Sequence, residues 1–237
     1  MTEITEFLEL LQNKPETGIK LVEKFLEEND PPAADYSRLT YGLAIACFQL
    51  ERNKQAHDWL KLTEDPKKYQ MIGFNWLKME EFEKAAEAFD VAGKENPEEK
   101  AECDLIKAQA HALAGELDRS REIINGLLDQ DLEPDFRAEC RLNRGTVEIE
   151  ANDKKSAKDW FAKIIEDATD DKFKSEAAFH MLQLEQAEGR LKAAAEHARW
   201  LKKNGGERFW REAGMDFLKK FKLDGQKRRN KLRSYEY

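Results

Sequence analysis

The sequence predicts an all-α fold built as a solenoid of antiparallel helix pairs, and three observations lead there. Apolar residues recur at three- and four-residue steps along most of the chain, as in Ile4, Phe7, Leu8 and Leu11, and no stretch reads convincingly as a strand. The 237 residues include 12 Gly and 6 Pro, too few for the turns of a many-stranded protein. The connectors between apolar-periodic segments are short, so consecutive helices must run antiparallel.

The elements follow in order from that periodicity and its punctuation. Ile4, Phe7, Leu8 and Leu11 set a helix over 2–12, and Ile19, Val22, Phe25 and Leu26 set a second over 15–28. Pro15 falls at the start of the second, where a missing N–H costs nothing because the first turn has no intrahelical partner for it. After Asn29-Asp30-Pro31-Pro32 the pattern gives helices over 35–50 and 53–63, and after Asp65-Pro66 over 66–79 and 82–95. Asn96-Pro97 opens the pair 98–114 and 117–130, and Glu133-Pro134 opens 134–151, 154–167, 171–188 and 191–203. Asn204-Gly205-Gly206 then closes a helix, and a last one is expected over 207–222.

The helix pairs contain an internal repeat. Residues 66–99 place Tyr69, Ile72, Gly73, Trp76, Ala85, Phe89, Ala92 and Pro97 at the spacing W-x2-L-G-x2-Y-x8-A-x3-F-x2-A-x4-P. Small residues at Gly73 and Ala85 let two helices approach closely, while Trp76, Phe82 and Phe89 fill the gaps between hairpins. This resembles a tetratricopeptide repeat (TPR). The neighbouring segments keep the register, with Ala56, Ala85, Ser120, Ala157 and Ala194 separated by 29, 35, 37 and 37 residues. Charged residues stand at usually apolar places, Arg144 and Glu148 in the fourth unit and Glu185 in the fifth. The resemblance implies an all-α, right-handed α-solenoid of antiparallel helix pairs, about five repeats plus capping helices. The expected organisation is a degenerate N-terminal hairpin over 1–34, TPR-like repeats over 35–206, a C-terminal capping helix over 207–222 and a basic flexible tail over 223–237.

Charge is unevenly distributed. The formal net charge is -8, yet from residue 202 onward 12 Lys or Arg face five acids, so the end carries +7 and the first 201 residues -15. No apolar run approaches the roughly 18 residues of a membrane span. The start, MTEITEFLELL, is acidic where a secretion signal is basic, so no membrane span and a cytoplasmic location are expected. Cys47, Cys103 and Cys140 are far apart and show neither disulfide nor metal-ligand spacing. Glu176 and His180 share a helix face, but His57, His111, His180 and His197 form no zinc motif. No phosphate-binding glycine loop occurs, and neither enzyme activity nor a cofactor or metal is expected.

The resemblance implies that the first helix of each hairpin lines a concave surface. That register makes Tyr41, Ile45, Phe48, Lys67, Gln70, Phe74, Leu77, Lys78, Leu105, Gln109, Leu142 and Phe179 the expected partner-binding groove. So many large apolar groups among polar ones suit an apolar or amphipathic segment of a protein or peptide partner. The expected role is a non-catalytic protein-interaction module: an adaptor, scaffold or assembly chaperone. The carboxylate-holding pattern of chaperone-tail receptors is not matched, since Gln70, Phe74, Ile106, Glu139 and Asn143 occupy those places. Two rivals remain. One is a nucleic-acid-associated repeat protein acting through Lys227, Arg228, Arg229, Lys231 and Arg233, disfavoured by the acidic body. The other is a homo-oligomeric scaffold whose groove takes a neighbour's C-terminal helix.

Overall fold

Residues 3–223 are described by the computed structural model, and every regular element among them is helical. The order is α1 (Glu3–Asn13), α2 (Pro15–Glu28), α3 (Ala33–Gln49), α4 (Asn53–Leu60), α5 (Lys68–Lys78), α6 (Phe82–Glu95), a 3-10 turn (Pro97–Glu99), α7 (Lys100–Leu113), α8 (Leu117–Leu128), α9 (Pro134–Glu150), α10 (Lys154–Asp167), α11 (Asp171–Ala187), α12 (Leu191–Asn204) and α13 (Arg208–Lys220). The chain divides into two compact units, Met1–Ile123 and Ile124–Tyr237, with the boundary inside α8.

Five hairpins share one turn. Glu51, Glu80, Gly115, Asn152 and Gly189 each follow the first helix of a pair with φ of 59°, 59°, 81°, 58° and 73°. In each case the next amide donates to the carbonyl five residues before it: Arg52 to Cys47 (2.9 Å), Glu81 to Trp76 (3.0 Å), Glu116 to His111 (2.9 Å), Asp153 to Glu148 (2.8 Å) and Arg190 to Glu185 (2.9 Å). A left-handed residue followed by this bond satisfies carbonyls that a helix end leaves open. These turns are 29, 35, 37 and 37 residues apart, the same intervals that separate the small residues of the sequence repeat. Ala56, Ala85, Ser120, Ala157 and Ala194, five residues beyond each turn, are fully buried. Lys222 (φ 53°) ends α13 in the same way, with Leu223 donating to Leu218 at 2.8 Å, so α13 ends like the first helix of a hairpin.

The crossings show why small residues sit where they do. A Cβ on Gly73 would lie 2.6 Å from Cε2 of Phe89, and one on Gly145 would lie 2.5 Å from Cε1 of Phe161. Each ring is fully buried and uses the space its glycine leaves. Thiols fill small gaps likewise. Cys47, Cys103 and Cys140 are free and buried, and burial pushes the first thiol up to about 11 and the third to about 12.

In the first unit, Leu11, Ile19, Val22, Leu39, Leu43, Ala46, Cys47 and Ala56 form one core cluster, with Phe7, Phe25 and Trp59 against it. In the second, Ala157, Phe161 and Ile164 form one cluster, and Ala194, Ala198, Leu201, Phe217 and Leu218 another. The charges that interrupt the repeat pattern are paired, with Glu148 and Glu185 themselves buried. Arg144 meets Glu148 one helical turn away and lies over the Trp160 ring, while Glu185 accepts from Arg190 (2.5 and 3.1 Å) and from Lys158 (3.5 Å).

One helix stops earlier than its periodicity predicts. α4 ends at Leu60 because residues 61–65 turn back onto the start of α3. The Thr63 hydroxyl donates to the Ser37 carbonyl (2.9 Å), the two hydroxyls lie 3.0 Å apart, and the Glu64 amide donates to Ser37 Oγ (2.9 Å). These bonds reach back 26 and 27 residues to the start of α3, take residues 63 and 64 out of the helix, and fix Asp65 beside α3.

Candidate functional site

In the first unit the leading helices of successive hairpins lie side by side: α1 packs on α3 as well as on α2, and α3 touches α5. Between α1 and α3 this leaves a hollow of about 410 Å³. Leu8, Leu11, Tyr41, Gly42 and Ile45 make its apolar floor, and Gln12, Arg38, Gln49 and Asp65 stand around it. Gly42 brings the helices close, since a Cβ there would lie 2.9 Å from Cδ1 of Leu11 and 3.0 Å from Cδ2 of Leu8. Arg38 pairs with Asp35 at 3.5 Å, whereas the Asp65 carboxylate accepts the Lys67 amide at 2.8 Å. Tyr41 is half-buried, and desolvation, then the nearby Asp65 and Glu99 carboxylates, hold its phenol protonated up to about 12.

Ten of the twelve residues expected in the groove belong to this unit and two to the other. Tyr41 and Ile45 line the hollow. Lys67 and Gln70 turn toward their own neighbour: the Lys67 ammonium lies 3.1 Å from Glu99, and Gln70 Nε2 donates to Glu99 (2.5 Å) and lies 3.6 Å from Cys103 Sγ. Lys78 sits over the half-buried Phe48 ring at 4.6 Å. Phe74 remains 37% exposed with its ring edge-on to Phe89 at 5.1 Å. Leu77 packs with Trp76 on Ala85, Ala86 and Ala110. Leu105 is buried, and Gln109, one turn on, is half-buried. In the second unit, Leu142 packs on the Ala157–Phe161 cluster. Phe179 lies under α13, 5.4 Å from Trp210 and 6.2 Å from Phe209. The tail residues Lys227, Arg228, Arg229, Lys231 and Arg233 lie outside the described residues.

α13 is held firmly on its own unit. A Cβ on Gly214 would meet the Ala198 carbonyl oxygen at 2.4 Å, and Phe217 and Leu218 are buried in the α11–α12 cluster. His180 stacks on Phe161 at 4.9 Å and 9°, and burial lowers its pKa, so its imidazole serves as a packing ring. Among the described residues no three His, Cys, Asp or Glu are grouped to hold a metal, and no helix is long and apolar enough to cross a membrane.

No family model matches the sequence, and a search of curated proteins gives no match. Solved structures do match. The chain superposes on PilF of Pseudomonas aeruginosa with a TM-score of 0.58 at 15% identity, covering 81% of this chain and 86% of that one. The C-terminal part of a TPR repeat-containing protein from Cytophaga hutchinsonii gives 0.59 at 11% identity, covering 94% and 95%. A tetratricopeptide repeat protein from Parabacteroides merdae gives 0.58 at 14% identity, covering 90% and 83%. The chain has the TPR fold. The left-handed turns after α3, α5, α7, α9 and α11 mark hairpins of that fold, and the leading helices α1 and α3 supply the hollow.

Leu8, Leu11, Gln12, Gly42 and Asp65 are hollow residues that the repeat register did not single out. The α1–α2 segment is expected only as a degenerate hairpin without the repeat's marker residues, so the register gives α1 no lining role. The signal that was available is excess apolarity, with Ile4, Phe7, Leu8, Leu10 and Leu11 covering more of α1 than one packed stripe requires.

Proposed function

We propose that this TPR chain is a non-catalytic protein-interaction module that seats an apolar side chain of a partner segment in the α1–α3 hollow. One observation carries the reading: an open depression with a five-residue apolar floor and polar surroundings, about 410 Å³ in volume. That lies within the roughly 300–1,000 Å³ typical of ligand sites. Each large side chain fully buried there contributes about 1.5–3 kcal/mol, and the polar residues around the floor set orientation more than affinity. The exposed Phe74 ring on α5 offers a second apolar contact for a segment running across the leading helices. Adaptor, scaffold and assembly-chaperone roles all use such a surface.

The reading is tested with a photoreactive amino acid placed at Ile45 and, as a comparison, at the exposed Leu62. Irradiation in native extract is expected to give discrete adducts from position 45, whose partner peptides compete with one another, and none from position 62. Equal labelling from both positions would remove the hollow as the binding site.

A further inference from the structure

Charge points to the chemistry of the segment the hollow takes. Residues 1–123 hold 16 Lys or Arg against 26 Asp or Glu, a net of -10, while residues 124–237 hold 24 against 22, a net of +2. The unit that contains the hollow therefore carries the negative charge of the whole chain. At the hollow itself the charged lining residues are Arg38 and Asp65, and they differ in their partners. Arg38 is paired with Asp35 at 3.5 Å, and Glu99 with Lys67 at 3.1 Å. Asp65 is different: its carboxylate accepts a backbone amide at 2.8 Å, and among the described residues it has no ion-pair partner. The Ser37–Thr63 hydroxyl contact at 3.0 Å and the bonds around it hold the loop that carries Asp65, so the uncompensated charge is fixed beside the apolar floor.

We infer that the partner of this hollow is a cationic amphipathic segment, with an apolar side chain seated over Gly42 and Ile45 and a Lys or Arg beside it reaching Asp65. The inference rests on the reading of the hollow as a protein-binding site and adds the sign of the partner's charge. A fixed carboxylate beside a low-dielectric floor rewards a cation that arrives with the anchor and repels an anionic segment of equal hydrophobicity. The net charge of the unit also speeds encounter with a cationic segment, an effect that salt weakens.

The test uses the full chain and two fluorescein-labelled model helices with identical Leu and Ala positions, one with Lys and one with Glu on the polar flank, read by fluorescence anisotropy. The Lys peptide is expected to bind at least tenfold more tightly than the Glu peptide at moderate salt. Asp65→Asn keeps the acceptor for the Lys67 amide and is expected to weaken the Lys peptide three- to tenfold. Glu122→Gln on α8 removes the same formal charge away from the hollow and is expected to weaken it less than twofold. Ile45→Gln is expected to weaken both peptides, with thermal melts showing each variant folded. If the Glu peptide binds as tightly, or Asp65→Asn matches Glu122→Gln, the charge inference is overturned while the hollow stands. If Ile45→Gln changes neither peptide, the hollow itself is the wrong site.

Discussion

Gly73→Ala tests the packing rule on which the repeat rests. The added methyl would lie 2.6, 2.8 and 2.9 Å from Cε2, Cζ and Cδ2 of Phe89, where carbon atoms prefer about 3.5–4.0 Å. Relief requires the ring to move by roughly 1 Å. Phe89 is fully buried and already edge-on to Phe74 at 5.1 Å, so it has little room to move. Overpacking of this kind costs about 1–3 kcal/mol. Alanine also gains up to about 1 kcal/mol of helix propensity over glycine, which masks part of that cost. Gly42→Ala in the same unit supplies the comparison: its methyl would meet the tips of Leu11 and Leu8 at 2.9 and 3.0 Å, flexible ends that border an open hollow. The propensity gain is common to both, so the gap between the two variants in urea unfolding, followed by circular dichroism, measures the steric cost and is expected to be about 1–3 kcal/mol. In a Phe89→Leu background, where the ring is gone, the gap is expected to shrink. Equal stabilities of Gly73→Ala and Gly42→Ala with Phe89 intact would refute the close-crossing argument.

Four further outcomes are expected. Glu148→Ala removes the carboxylate that the largely buried Arg144 meets, leaving it Asn125 and the Trp160 ring, and should destabilise the second unit by about 1–3 kcal/mol, whereas Arg144→Met with Glu148→Leu should come near neutrality, both read by chemical denaturation. Thr63→Val removes the hydroxyl that donates to Ser37 and should cost about 1–3 kcal/mol, with faster amide exchange in residues 61–65. Glu80→Gly places glycine at a left-handed turn and should raise the unfolding free energy by up to about 1 kcal/mol, read by chemical denaturation. Stability should fall with acidification in two windows. His57, His180 and His197 titrate below their unfolded value of 6.5, so the unfolded chain binds protons first and stability is lost as pH drops through that value. Asp90, held down to about 2 by hydrogen bonds from Lys107 and Lys94, adds a second loss as pH falls from 3.8 toward 2. A midpoint that stays constant from pH 7 to pH 2 would contradict both.

The sequence alone determined the hairpins. Gly73, Ala85 and Phe89 meet the same crossing problem that Gly145, Ala157 and Phe161 meet, so its solution repeats at intervals that the left-handed turns reproduce. Such contacts are local, between helices joined by a few residues, and a local contact leaves a periodic trace. Even the charges that break the apolar pattern form a pattern of another kind, Arg144 and Glu148 one turn apart.

Only the tertiary structure decided which face stays open. Leu105 is buried and Ile106 half-buried on one helix, a difference of a single rotational step that residue type does not encode. Lys67 and Gln70 have the chemistry to hold a partner, yet Glu99, about thirty residues away in the sequence, takes both. Phe179 lies beneath Phe209 and Trp210 because α13 folds back over α11. The hollow exists because α1, which carries no repeat signature, packs beside α3, and because Thr63 ends a helix early and brings Asp65 to it. Those arrangements depend on contacts between distant segments, where the outcome is set by what each side chain meets.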